Sequence, residues 1–166
     1  MYQWVVFLHI LGALLFFMAH GASMAMAFQL RREYNLDRIR AILDLSNVML
    51  PVAYGALALL VLAGIAAGIM GSWFSRGWIW AAIVLLVVMW GMMVVYGTRF
   101  YSPIRKAIGL PYRTGGEGPG SEYPAEPPAN EAEIMTLIQR ANPMHLAIPG
   151  LGIAAVILWL MVFKPF

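Results

Sequence analysis

Charged side chains fall in blocks along this chain of 166 residues, and between the blocks run four stretches that hold none: residues 1–30, 45–75, 77–98 and 141–163. A hydrocarbon core about 30 Å thick needs about 20 apolar residues at about 1.5 Å rise each, so every stretch is long enough to cross a bilayer as a helix. The pattern predicts spans at about residues 4–28, 48–71, 78–100 and 143–163, forming one all-α four-helix transmembrane bundle that occupies residues 1–166 as a single domain. No alternation of period two marks a strand, and no internal repeat stands out.

The polar blocks have helical signals of their own. Asn35 can cap a helix whose Leu36, Ile39, Ile42 and Leu43 form one stripe, either lying on the headgroups or extending the second span. Residues 114–129 are rich in glycine and proline and read as a flexible cytoplasmic linker. Asn130 with Glu133 then forms a capping-box pattern ahead of the apolar Ile134, Met135, Leu137 and Ile138, and Asn142-Pro143 is a second start signal. Short interfacial helices on the cytoplasmic side are therefore expected.

Orientation follows from the cations. Arg31, Arg32, Arg38, Arg40, Arg99, Arg105, Lys106, Arg113 and Arg140 flank one side of the predicted bundle, and only Arg76 and Lys164 flank the other. The positive-inside rule places both long connections in the cytoplasm and the N- and C-termini outside, in a prokaryotic cytoplasmic membrane. Trp4, Trp73, Trp78, Trp80 and Trp159 lie near the outer span ends, where indole sits between headgroup and tail, and Trp90 lies deep.

Composition narrows the function classes. Hydrophobic residues make up 61% and charged residues 11%, against about 25% charged in a typical soluble domain, so lipid is the expected main partner. Cysteine is absent, which removes disulfides, thiolate metal sites, iron–sulfur clusters and c-type haem attachment. The net charge of +3 sits at span ends rather than in a basic module, so no nucleic-acid partner is expected. The first apolar run has no basic n-region and exceeds a usual signal-peptide core, so it is expected to stay as a helix. Gly64 and Gly68, with alanines beside them, offer a close-packing face, favoured for contacts within the chain over a homo-oligomer.

The three histidines all fall in or beside spans, where ionisable side chains most often serve function. His9 and His20 stand eleven positions apart, so they share one face of the first helix about 16 Å apart along its axis. Counting down from the outer ends brings His20, His145, Met92 and Met93 to a similar depth in the cytoplasmic third. Imidazole and thioether groups projecting from facing helices are what a b-type haem needs as axial ligands. Hydrogen bonding of these histidines to backbone carbonyls or headgroups is the competing use. His20, Met24 and Met26 also make a soft cluster suited to Cu(I), although methionine is a common apolar filler. Apart from Arg99 at the edge of the third, the spans hold no Asp, Glu, Lys or Arg for acid–base work, so no catalytic constellation is legible.

The run Leu8-His9-Ile10-Leu11-Gly12-Ala13, with Phe16-Phe17, Ala19, Gly21 and the Arg31-Arg32 pair, resembles the opening of the CopD-like four-span membrane proteins. That group includes copper-resistance D domains, HemJ-type protoporphyrinogen oxidases and uncharacterised predicted integral membrane families. The resemblance covers about the first 35 residues and the four-span layout, and it implies that His9 matches a histidine tied to haem or porphyrin chemistry. Three uses stay open at this point: haem binding in a redox or haem-related role, a non-catalytic accessory or scaffold subunit among other membrane subunits, and copper handling.

Overall fold

The computed structural model describes residues 1–114 and 122–166. Its helices are α1 (Tyr2–Leu30), α2 (Leu36–Met70), α3 (Gly77–Ala107), α4 (Glu131–Arg140) and α5 (Met144–Phe163), with a 3₁₀ turn at Trp73–Ser75 between α2 and α3. Four long apolar helices make an all-α bundle with the length and hydropathy of a multi-pass membrane protein. The exposed faces carry Leu14, Val84 and Leu158, each more than half accessible, as suits side chains that meet acyl chains rather than water.

Caps set the helix ends. The Asn35 side chain accepts from the Asp37 and Arg38 amides at 3.0 and 3.1 Å, and α2 then runs unbroken from Leu36 through the second span. Of the two placements open to that amphipathic segment, it extends the span. Asn130 caps α4 by accepting from the Glu133 amide at 2.9 Å. Asn142 accepts from the Met144 amide at 3.0 Å, and Pro143 stands just before the first residue of α5 rather than as it. The third helix outlasts its predicted end at residue 100, because hydropathy marks where lipid stops while the backbone stops at its cap. That cap is Gly109, at φ +77°, with the Gly109 and Leu110 amides bonded to the Lys106 and Arg105 carbonyls in a Schellman turn.

Packing divides the bundle into two pairs, α1 with α2 and α3 with α5. Gly12 sets the first: a Cβ there would lie 2.6 Å from the Leu60 amide nitrogen, so the backbones touch. Gly64 faces the His9 ring and Gly68 faces Phe74 and Ile79, so both small-residue positions are used within the chain. One end of the bundle gathers both termini: the Trp73 indole donates to the Tyr2 hydroxyl at 3.1 Å, the Trp78 amide donates to the Phe166 carbonyl at 3.2 Å, and the Lys164 ammonium lies 4.3 Å from the Trp73 ring.

The other end gathers the connections. Leu30, Ile39, Leu43, Phe100, Ile104, Ile134 and Ile138 form a buried cluster there, so α4 and the first turns of α2 set their apolar stripes against protein. Residues 122–129 run along the end of α3. Tyr123 pairs with Tyr112 through two backbone bonds and a stacked ring, the Ala129 amide donates to the Ala107 carbonyl, and Glu126 accepts from the Tyr112 hydroxyl at 2.6 Å and pairs with Lys106 at 3.2 Å. The rest of the predicted linker, residues 115–121, lies outside the described residues.

The Glu126 clasp has a pH window. The Tyr112 hydroxyl, then Lys106, hold the Glu126 carboxyl below its ordinary pKa, and Glu126 holds the Tyr112 phenol above its own. A lowered carboxyl contributes stability above its unfolded pKa of about 4.3 and loses it as pH falls through the lower folded value. A raised phenol contributes below about pH 10 and loses it as pH climbs through the higher folded value. Amide exchange at Tyr112 and Tyr123 is expected to be slowest relative to its intrinsic rate between those limits and to quicken below the acid one; exchange unchanged across the acid limb in the wild type, and equal in Glu126→Gln, would remove the clasp.

Candidate functional site

The two helix pairs leave a cavity of about 430 Å³ between them, in the half of the bundle nearer the connections. Phe16, His20, Ser23 and Met24 of α1 form one wall; Asn47, Leu50, Ala53, Tyr54 and Leu57 of α2 form another. The α3 wall runs from Trp90 to Arg105, fifteen residues or about 22 Å of helix. Gly91 and Gly97 stand on that wall with nothing within 4 Å of where a Cβ would be, which leaves the space open. Pro51 in α2, Pro103 in α3 and Pro149 in α5 each delete a ladder donor. Pro51 thereby frees the carbonyl of Asn47, whose residue lines the cavity.

His20 is buried at 5% exposure and stacks on Phe16 with ring centroids 6.4 Å apart and planes 7° from parallel. Its Nε2 has no hydrogen-bond partner and is turned against Gly150 of α5, where any Cβ would collide with the ring. An orphaned buried group of this kind costs about 1–3 kcal/mol. Across the cavity the Tyr101 hydroxyl donates to the Ser23 carbonyl at 2.7 Å, fastening α3 to α1.

The other two histidines stand elsewhere. His9 donates from Nδ1 to the Leu60 carbonyl at 2.8 Å across the α1–α2 contact, the backbone-bonding use weighed above, and lines neither cavity described here. His145 is exposed beside Met92, Met93 and Tyr96 at a slot of only about 10 Å³, space for about one water. The structure thus brings His145 to Met92 and Met93 but sets His20 in the other cavity, with Met93 and Leu146 lining both. Met24 lines the large cavity with His20, whereas Met26 is buried and lines neither. Among the described residues no group of three or more His, Cys, Asp or Glu side chains is placed to hold a metal ion.

The lining of the large cavity includes one imidazole, His20, and two thioethers, Met24 and Met93, the donor types of a His/Met haem site. The imidazole as placed presents its unbonded nitrogen to Gly150, so ligation needs the ring turned.

Arg105 escaped the sequence reading. It is 8% exposed at the mouth of the cavity, donating from Nε to the Pro111 carbonyl at 2.6 Å and from Nη1 to the Leu43 carbonyl at 2.8 Å, with Asp44 3.6 Å away. The signal that could have found it is Gly109 with Leu110-Pro111 just beyond, a helix stop that folds the chain back over the arginine. No family model matches this sequence, and neither a curated protein nor a solved structure does.

Proposed function

We propose that this chain is a multi-pass membrane protein, termini outside, that binds an amphiphilic ligand in the cavity between α2 and α3, and that a b-type haem in a redox or haem-related role is the specific form of that reading. His20 supports it most: a buried imidazole with an unpartnered nitrogen, in the same cavity as the Met24 and Met93 thioethers. A bound haem would supply one-electron chemistry. The chain's own part would be to offer His20 of α1 as a ligand, with Met93 of the facing α3 as the second. Phe16 and Leu57 would exclude water, and Tyr101 holds α3 to α1 so that the wall stands. The likeness of the first helix to CopD-like proteins points to the same chemistry, but its His9 is bonded to the Leu60 carbonyl at the α1–α2 contact and stands outside the cavity.

Protein expressed in haem-replete cells and purified in detergent is expected to show a Soret band and a reduced-minus-oxidised α band. His20→Leu is expected to remove both, and His145→Leu to leave them. A colourless wild-type protein, or a spectrum indifferent to His20→Leu, would sink the haem reading and return the chain to an accessory or scaffold role.

A further inference from the structure

The cavity has a charged end that the histidine chemistry leaves unused. Arg105 is more than nine-tenths buried, and its neighbours neutralise it poorly. Two of its nitrogens are held by backbone carbonyls, which carry no net charge. The one carboxylate in contact, Asp44, is 3.6 Å away on a side chain 60% exposed. A guanidinium taken out of water with so loose a counter-charge gains from any anion that can reach it. The second terminal nitrogen, Nη2, has no partner among the described residues, so part of the planar donor fork remains for a ligand. Arg113 stands at the same mouth, and among the described residues Glu122 is the one acidic residue on the lining.

The opposite end is different in kind. Phe16, Leu57 and Trp90 lie there, about 22 Å along α3 from Arg105, with His20 the buried polar exception. A ligand polar at both ends would leave one end among apolar side chains, and a wholly apolar one would leave the arginine as it is. The volume of about 430 Å³ is within the usual range of about 300–1,000 Å³ for small-molecule sites.

We propose that the mouth of this cavity is a carboxylate-binding site, in which Arg105, aided by Arg113, holds the acidic head of an amphiphile whose apolar body extends toward His20. This rests on reading the cavity as a ligand site and adds the head chemistry and the direction of binding. A carboxylate head can come from a fatty acid of the membrane or from the propionates of a haem, and the same arginine contact serves both.

The test uses the full chain in phosphatidylcholine nanodiscs at alkaline pH. Two matched probe pairs are titrated: spin-labelled stearate against its methyl ester, and hemin against its dimethyl ester. The acid is expected to bind about tenfold or more tightly than the ester in at least one pair, and the pair that discriminates identifies the source. Arg105→Gln is expected to bring the acid down to the level of its ester. Arg113→Gln, which breaks none of the bonds to Leu43 and Pro111, is expected to cut the preference by about two- to threefold and serves if the first variant does not fold. Equal binding of acid and ester in both pairs overturns the head site and leaves the cavity reading standing. No binding of any probe overturns both.

Discussion

Gly12→Ala is expected to lower the thermal midpoint of the detergent-solubilised protein by about 5–10 °C, while Gly21→Ala on the same helix leaves it level or raises it. The added Cβ at position 12 would meet the Leu60 amide nitrogen at 2.6 Å, its α-carbon at 2.9 Å and the Leu59 carbonyl carbon at 3.2 Å. All three are backbone atoms, so no rotamer change gives way and α1 must back off from α2. Overpacking of this kind costs about 1–3 kcal/mol, and the top of that range fits a backbone obstacle. For a chain of this length about 1 kcal/mol moves the midpoint by about 2–4 °C. At Gly21 nothing lies within 4 Å of the built Cβ, so only the better helix propensity of alanine remains, about 1 kcal/mol in its favour. The separation would also lengthen the 2.8 Å bond from His9 to the Leu60 carbonyl. Differential scanning fluorimetry of the two variants side by side decides the matter, and equal midpoints would show that the helices are not in backbone contact.

Arg105→Met is expected to speed amide exchange at Tyr112 and Tyr123 by about 30-fold or more. The arginine ties three segments together, with α3 bonded to the Leu43 carbonyl of α2 and to Pro111 beyond the helix end. The Leu43 carbonyl keeps a bond from the Ser46 hydroxyl at 2.7 Å, so its loss is partial. Among the described residues Arg105 is the donor to the Pro111 carbonyl, which without it must find water. Hydrogen bonds to charged groups contribute about 1.5–3 kcal/mol each, and a total of about 2–4 kcal/mol allows for that water. Local opening that costs about 2 kcal/mol less raises exchange by about 30-fold. Methionine fills the stem's volume, so the change isolates the guanidinium from packing. Exchange at the wild-type rate would mean that Glu126 and the Tyr112–Tyr123 pairing hold this segment without the arginine.

Much of the framework is legible in the sequence because membrane spans and caps are local. A charge-free run states its own length, and Asn35 and Asn130 cap within three residues of themselves. The i, i+4 spacing of His20 and Met24 likewise places both on the wall of one cavity. Counting residues from a helix end gives height, however, and not direction around the axis. His145 was matched to His20 by depth alone, and the azimuth of α5 sets it beside Met92, on the far side of Met93 and Leu146. Arg105 was hidden for a different reason. In a one-dimensional reading an arginine near a span end is an orientation signal, and only the return of the chain after Gly109 buries it. The orphaned Nε2 of His20 depends on Gly150, which is 130 positions away in sequence and which no local pattern links to it.

The pairing of helices also bears on how the molecule is made. α1 and α2 are consecutive and touch through backbone at Gly12, so this hairpin can close as soon as its second half has left the ribosome. The α3 wall is synthesised later, and α5, which covers His20, after it. Until α5 packs, the imidazole faces lipid or solvent uncovered, and Gly150 is what lets that helix seat against the ring without a clash.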